Sequence, residues 1–383
     1  MRIAMIGTRG VPARYGGFET AVEEIGARLA AAGHEVVVFC RPVESGTELA
    51  SFKGMSLVHL PIIRKRALET LAHTALSVVN PSLRGVDAAI VFNAANSPLL
   101  PVVRARRIPV ATHVDGLEWR RSKWGRWGRR YYRLAESLAV RWSDEIIADA
   151  QGIADYYRDE FGAPSRLIAY GAPDIGDVGS HRLAELGVSK GGYHLVVARF
   201  EPENHVLEIV QGYATSSAEL PLLVVGSAPY SDAYTAAIRQ AADDRVRLLG
   251  GVWDQDLLDQ LYANAASYLH GHSVGGTNPS LLRAAGAGAP VIAFDSVFNR
   301  EVVGDDARYF ADPAAVRAEV EWAEENLAEF RQVGASARVA ARRYDWDQVA
   351  TEYERLCADL ADPSGRGRRR PSGRRRVPGW QDG

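Results

Sequence analysis

Cysteine is nearly absent: two residues, Cys40 and Cys357, in a chain of 383. Two thiols cannot build a disulfide framework or a cysteine-based metal cage, and they read as reduced side chains in or near packed elements. Long apolar runs are missing as well. No stretch approaches the roughly 20 residues that cross a bilayer, and Met1–Gly7 is too short an apolar run for a signal peptide. The expected location is therefore cytoplasmic. The nine histidines show neither an HExxH pattern nor Cys/His ligand spacing. Two Asp-x-Asp matches, Asp254-Gln255-Asp256 and Asp345-Trp346-Asp347, sit where helices begin, and acidic residues in a first turn need no metal to explain them. No metal site and no cofactor are expected. The Gly-x-Gly-x-x-Gly dinucleotide fingerprint is also missing, which disfavours a nucleotide-dependent oxidoreductase or epimerase.

What is present is a large apolar fraction, 47%, with 24% charged and 9% aromatic residues. That is the composition of a globular protein, and the length predicts two domains. The near-neutral charge conceals an asymmetry. Residues 364–383 hold seven arginines and one aspartate, leaving 38 basic against 46 acidic residues in the rest, a net of −8. An acidic body argues against a nucleic-acid reader, so no nucleic-acid partner is expected. Residues 363–383, rich in Pro, Gly, Ser and Arg with almost nothing to bury, are expected to be disordered.

The apolar pattern alternates between strand and helix. Ile3–Ile6, a helical stripe over Thr20–Ala32 closed by Gly33, and Glu35–Cys40 form a βαβ unit, which predicts a parallel sheet. Further strands are expected at Ser56–Leu60, Ala88–Phe92, Val110–His113, Glu145–Ala148 and Leu167–Ala169. After a Gly/Pro/Asp loop at 171–179 the series restarts, with strands at His194–Ala198, Leu222–Val225, Val246–Leu249, Ser267–Leu269 and Val291–Ala293. Helices separate them, from Val206–Ala214 to Pro279–Ala287. The fold expected is α/β, two doubly wound parallel sheets in tandem. The domains are expected at 1–172 and 191–344, with a linker at 173–190 and a helix over 345–362 crossing back onto the first.

Three segments have the form of ligand loops. Gly7-Thr8-Arg9-Gly10-Val11-Pro12-Ala13-Arg14-Tyr15-Gly16-Gly17-Phe18-Glu19 joins the first strand to the first helix, where Gly16 and Gly17 leave the backbone open to a close-approaching ligand. His270-Gly271-His272-Ser273-Val274-Gly275-Gly276-Thr277-Asn278-Pro279-Ser280 follows a strand and opens a helix, with Asn278 as cap and Pro279 at the first helical position. A helix N-terminus favours an anion by roughly 0.3–1 kcal/mol at a surface, and a diphosphate suits it. Arg199, in Val197-Ala198-Arg199-Phe200-Glu201-Pro202-Glu203-Asn204-His205, can reach a phosphate bidentately and stays charged when enclosed.

Taken together, Gly-Gly-Phe-Glu, Arg-Phe-Glu-Pro-Glu-Asn and His-Ser-Val-Gly-Gly-Thr-Asn-Pro-Ser-Leu-Leu resemble glycosyltransferase family 4, in particular a bacterial rhamnosyltransferase-like subgroup. The likeness runs from Met1 to about Leu360. His113-Val114-Asp115-Gly116-Leu117-Glu118-Trp119, with Lys123-Trp124-Gly125, resembles that subgroup's cleft-lining segment. The resemblance implies a GT-B fold, two Rossmann-like domains facing a cleft. It also implies metal-independent transfer of a sugar, rhamnose or another hexose, from a nucleoside-diphosphate sugar to a saccharide or lipid-linked acceptor with retention of configuration. Carried over by position, Asp115, His113 and Arg199 become the catalytic candidates. Gly16, Gly17, Arg199, Asn204, Gly275, Gly276, Thr277, Asn278, Ser280 and Arg283 become the donor-binding set, and Arg14, Tyr15, Glu118 and Trp119 line the acceptor side. The family usually shows two glutamates eight positions apart where this chain has Gly275 and Arg283, and many members carry a lysine where it has Asn204. Those departures motivate an alternative, a non-catalytic relative that binds a nucleotide-sugar.

Between Arg120 and Arg133 lie seven basic residues and no acid, interleaved with Trp124, Trp127, Tyr131 and Tyr132. Basic plus aromatic is the composition of a surface that meets an anionic membrane. Two readings stand: a peripheral position on the inner face of the plasma membrane, to which the Arg-rich tail would add attraction, or a solvated helix face that is basic, with the tail a soluble extension.

Overall fold

A computed structural model describes residues 1–13, 16–42, 48–62, 69–114, 116–227, 232–362 and 364. The chain divides into two compact units, Met1–Ala169 with Trp346–Gly383, and Tyr170–Asp345.

The first unit is built on β1 (Arg2–Ile6), α1 (Gly17–Ala31), β2 (Glu35–Cys40), β3 (Ser51–Phe52), β4 (Met55–His59) and α2 (Glu69–Val79). It continues with β5 (Ala88–Phe92), α3 (Leu100–Ala105), β6 (Val110–His113), α4 (Arg126–Trp142), β7 (Glu145–Ala148), α5 (Gln151–Phe161) and β8 (Arg166–Leu167). Its sheet runs β3-β4-β2-β1-β5-β6-β7-β8. All neighbours pair in parallel except β3 and β4. Strands that are apolar on both faces fill the centre, because helices cover both faces of a doubly wound sheet. Ile3, Ala4, Ile6, Ala88, Ala89, Ile90 and Val110 have no exposed surface.

The second unit contains β9 (His194–Val197), α6 (Val206–Ala214), β10 (Leu222–Val225), α7 (Asp232–Ala241), β11 (Val246–Gly250), α8 (Gln255–Ala263), β12 (Ser267–His270) and α9 (Pro279–Ala287). It ends with β13 (Val291–Phe294), α10 (Val297–Val303), β14 (Arg308–Phe310), α11 (Pro313–Glu325) and α12 (Leu327–Ala341). The sheet order is β11-β10-β9-β12-β13-β14, parallel throughout. Asp254, Asn278, Ser296 and Asp312 cap α8 to α11 with side-chain oxygens, so local sequence sets where these helices start.

The final helix, α13 (Trp346–Ala361), packs on the first unit. Arg28 pairs with Asp347 at 2.6 Å and Arg166 with Asp359 at 2.7 Å. In the core, the Tyr353 hydroxyl meets His113 Nδ1 at 2.7 Å. Residues 173–190, expected as a linker, are instead bound into the second unit. Asp174 pairs with Arg338 at 3.1 Å, Asn264 donates to the Gly179 carbonyl at 2.7 Å, and Arg182 pairs with Asp254 at 2.5 Å. Both cysteines are buried and free. The expectation for the tail falls, apart from Ser364, outside the described residues. Among the described residues no helix is long and apolar enough to cross a membrane.

Candidate active site

In a doubly wound sheet, ligands bind outside the carboxyl ends of the strands where the strand order reverses. In the second unit that point lies between β9 and β12, so the loops after these two strands flank it. They are tied to each other. The Asn204 side chain donates to the Arg199 carbonyl at 2.8 Å and bonds His272 Nδ1 at 2.7 Å. His205 reaches the Gly271 carbonyl at 2.7 Å, and the Ser273 amide donates to the Glu203 carbonyl at 3.0 Å. Asn299 adds a third brace, donating to the His272 carbonyl at 2.8 Å. Gly275 adopts φ +137°, and a Cβ there would lie 2.9 Å from His272 Nε2, so glycine is required by both backbone and space. Gly275, Gly276 and Thr277 are buried.

Arg199 differs from the groups around it. Its side chain is 42% exposed and pairs with Glu201 at 3.6 Å, a loose pair that leaves the guanidinium able to turn to an anion. Behind the loop sits a buried hydroxyl cluster. Ser280 Oγ lies 2.6 Å from both Tyr262 and Tyr268 and donates to the Val197 carbonyl at 3.1 Å, while Tyr268 also bonds His270 Nδ1 at 3.1 Å. Burial holds the His270 imidazole neutral, its pKa pushed down to about 3, and its Nε2 makes no hydrogen bond among the described residues. A buried nitrogen left so costs about 1–3 kcal/mol.

The reversal in the first unit lies between β1 and β5, and the glycine-rich loop leaves β1 beside it. Two carboxylates one turn apart on α1 shape this loop: Glu19 accepts from the Arg9 amide at 3.0 Å and Glu23 from the Ala13 amide at 2.7 Å. Burial raises the Glu19 pKa despite the charges of Arg9 and Arg41. Gly16 caps α1 at φ +96° and supplies no side-chain hydrogen bond, while the Glu19 carboxylate also accepts from its own amide in the first turn. Across the reversal, Asn93 accepts from the Ala95 amide at 2.8 Å, and Asn96 donates to the Phe92 carbonyl at 2.8 Å and the Gly7 carbonyl at 3.4 Å.

Residues 16–171 match the family model described as glycosyl transferase 4-like domain, and residues 193–326 match glycosyl transferases group 1, together about three quarters of the chain. The chain belongs to the glycosyltransferases of the group 1/4 type. A curated relative, O-antigen chain mannosyltransferase B of Escherichia coli, is 28% identical over 170 residues, 42% of this chain and 44% of that protein. The match thus spans less than half the length of the relative. Among solved structures, a sucrose-phosphate synthase from Thermosynechococcus elongatus superposes with a TM-score of 0.80 at 18% identity, covering 94% of this chain and 98% of that one. Anabaena HepE, solved with UDP-glucose, gives 0.74 at 17% identity over 94% and 100%. At such identities the structures speak for the fold, which is GT-B.

The candidates of this glycosyltransferase fall into those placed at the carboxyl ends of the two sheets and those whose side chains brace other parts of their unit. Arg199, Gly16, Gly17, Gly275, Gly276 and Thr277 lie at the sheet edges just described. Several other candidate side chains are already spent. Asn204 is a brace between loops rather than an open group, and Asn278 Oδ1 is used as the cap of the Ser280 amide at 2.9 Å. The Ser280 hydroxyl is held by tyrosines, and Arg283 pairs with Asp259 of α8. His113 has no exposed surface. Burial lowers its pKa to about 3, and it packs against Phe18 and Phe92 with ring centroids 5.2 and 5.4 Å away. The catalytic candidate His113 is thus a neutral, buried group.

On the expected acceptor side, Glu118 is only 6% exposed. It gathers Arg121 at 2.5 Å, Lys123 at 2.8 Å and the Trp124 indole at 3.1 Å. The guanidinium carbons of Arg120 and Arg133 lie 5.2 and 5.1 Å from the Trp119 ring. Both therefore hold the segment together. Arg14, Tyr15 and Asp115 lie outside the described residues. Both Asp-x-Asp pairs have structural partners: Asp254 caps α8 and binds Arg182, and Asp347 binds Arg28. Among the described residues no cluster of three His, Cys, Asp or Glu is placed to hold a metal. Asn93, Asn96 and Glu23 lie outside the residues expected from sequence. For the asparagines a signal existed, since they directly follow the strand Ala88–Phe92.

Proposed function

We propose that this glycosyltransferase moves a sugar, rhamnose or another hexose, from a nucleoside-diphosphate sugar to a hydroxyl of a saccharide or lipid-linked acceptor in cell-envelope or exopolysaccharide synthesis. The observation that carries the reading is in the second unit. There an exposed, loosely paired Arg199 and the buried Gly275-Gly276-Thr277 turn before α9 flank the reversal of strand order. A guanidinium and a helix N-terminus are the groups that hold a diphosphate. The solved relative with UDP-glucose supports a nucleotide-sugar as the guest, and the mannosyltransferase supports a hexose.

The acceptor oxygen forms a bond to the anomeric carbon as the bond to the diphosphate breaks. The acceptor proton passes to the departing phosphate on the same face, which retains configuration and requires no protein nucleophile. Arg199 takes up the charge that develops on the leaving oxygen, an interaction stronger in the transition state than in the ground state. The same chemistry runs without a metal. The test is release of nucleoside diphosphate across a panel of nucleotide-sugars, with acceptor and with chelator. Turnover of one donor that chelator does not reduce supports the proposal, and absence of turnover with every donor sinks it. Binding without turnover would favour the second reading, a nucleotide-sugar-binding relative, which the committed side chains of Asn204 and Arg283 motivate.

A further inference from the structure

The segment from Trp119 to Trp142 contains eight basic residues and one acid, Glu136. Glu136 is buried and accepts from the Tyr156 hydroxyl at 2.8 Å, so it puts no negative charge on the surface. Part of the positive charge is spent internally. Arg121 and Lys123 pair with Glu118, and Arg133 pairs with Glu160. The two sides of α4 are ordered by helical spacing. Tyr132, Ala135, Glu136 and Ala139 form the buried side. On the opposite side, spaced three and four apart, stand Arg126, Trp127, Arg130, Leu134 and Arg141. Trp127 is 74% exposed and Leu134 53% exposed. The guanidiniums of Arg126 and Arg130 lie 5.5 and 5.3 Å from the Trp127 ring, and Arg129 is exposed beside them. The apolar exposure continues onto α3, which packs against α4 and carries exposed Val102.

We infer that the outer face of α4, centred on Trp127 and Leu134 and rimmed by Arg126, Arg129, Arg130 and Arg141, is a docking surface for an anionic lipid bilayer. A tryptophan held among arginines meets both layers of such an interface, the ring at headgroup depth and the guanidiniums on phosphate oxygens. Charge complementarity favours a membrane over a long polyanion. The basic residues of this helix face stand on a body that carries a net negative charge, and the centre of the face is apolar. The inference does not depend on the sugar-transfer reading and its test uses no donor.

The full chain is mixed with phosphatidylcholine vesicles with and without phosphatidylglycerol, and the bound fraction is measured by flotation at rising salt. Binding is expected only to the anionic vesicles and is expected to weaken with salt. Each basic residue near an anionic leaflet contributes about 1 kcal/mol, or about fivefold. Arg126→Gln with Arg129→Gln should therefore lower the partition coefficient about 25-fold. Trp127→Ala and, separately, Leu134→Ser should each lower it severalfold, while Trp253→Ala in the second unit leaves it unchanged. All variants should melt with the parent. The inference is overturned if the chain ignores anionic vesicles or if the α4 variants bind them as the parent does. It is equally overturned if the same arginines retain a random oligonucleotide in place of vesicles.

Discussion

Reversing Arg283 tests how the second unit uses a charge that the family pattern does not predict. Arg283 of α9 pairs with Asp259 of α8, and the two side chains are 23% and 20% exposed. A pair this enclosed lies between an exposed one, which contributes about 0–1 kcal/mol, and a fully buried one, whose breakage costs about 3–5 kcal/mol. Arg283→Glu also brings a second carboxylate against Asp259, so a loss of about 2 kcal/mol is expected. In a domain of this size each kcal/mol moves the melting temperature by about 2–4 °C, which gives a fall of about 4–8 °C. The exchange Asp259→Arg with Arg283→Glu restores the attraction and should recover most of that loss. Differential scanning calorimetry on the parent, both single variants and the exchange closes the cycle. Nucleotide affinity measured on the exchanged variant then reports the site without the stability change. If Arg283→Glu melts with the parent, or the exchange melts no higher than Arg283→Glu, the pair does not hold α8 to α9 and the reasoning is wrong.

Further outcomes follow from single contacts. Gly275→Ala forces a side chain into φ +137° and onto His272; strain of about 1–3 kcal/mol should weaken nucleoside diphosphate binding in calorimetric titration, whereas unchanged affinity would show the turn plays no part. Tyr353→Phe removes the buried bond to His113 and should lower stability to urea by about 1–3 kcal/mol. His113 and His270 titrate near 3 in the folded chain and near 6.5 unfolded. The unfolded chain therefore binds more protons in that window. Their stabilisation is complete above about pH 6.5 and falls by about 1.4 kcal/mol per unit and per histidine as the pH drops toward 3. Melting temperatures from pH 7.5 to 5 should decline, less steeply in His113→Gln, and an equal slope in the two proteins contradicts the assignment.

The doubly wound order was legible because it depends on residues that only a buried parallel strand tolerates in series, such as Glu35–Cys40, Ala88–Phe92 and Leu222–Val225. The caps were legible for the same local reason, as at Asp254 and Asn278. Short elements were not. The two-residue β3 buries too little to leave a pattern, the strand expected at Leu167–Ala169 is the shorter Arg166–Leu167 of β8, and β14 (Arg308–Phe310) opens on a charge. The loops were found, yet the state of their side chains was not. That Ser280 is bound by Tyr262 and Tyr268, that Asn204 braces His272, and that Glu118 collects Arg121 and Lys123 are contacts between separate turns, which no spacing rule contains. His113, a candidate carried over from the family resemblance, is buried among Phe18, Phe92 and Tyr353, surroundings that its place at a strand end does not reveal.

The most direct test of the diphosphate account is calorimetric titration of uridine and thymidine diphosphates into the parent chain and into Arg199→Gln. A hydrogen bond to a charged group contributes about 1.5–3 kcal/mol, so the parent should bind one of the nucleotides and the variant should bind it at least about tenfold more weakly while melting normally. Equal affinity in the two proteins would mean that the phosphates rest elsewhere.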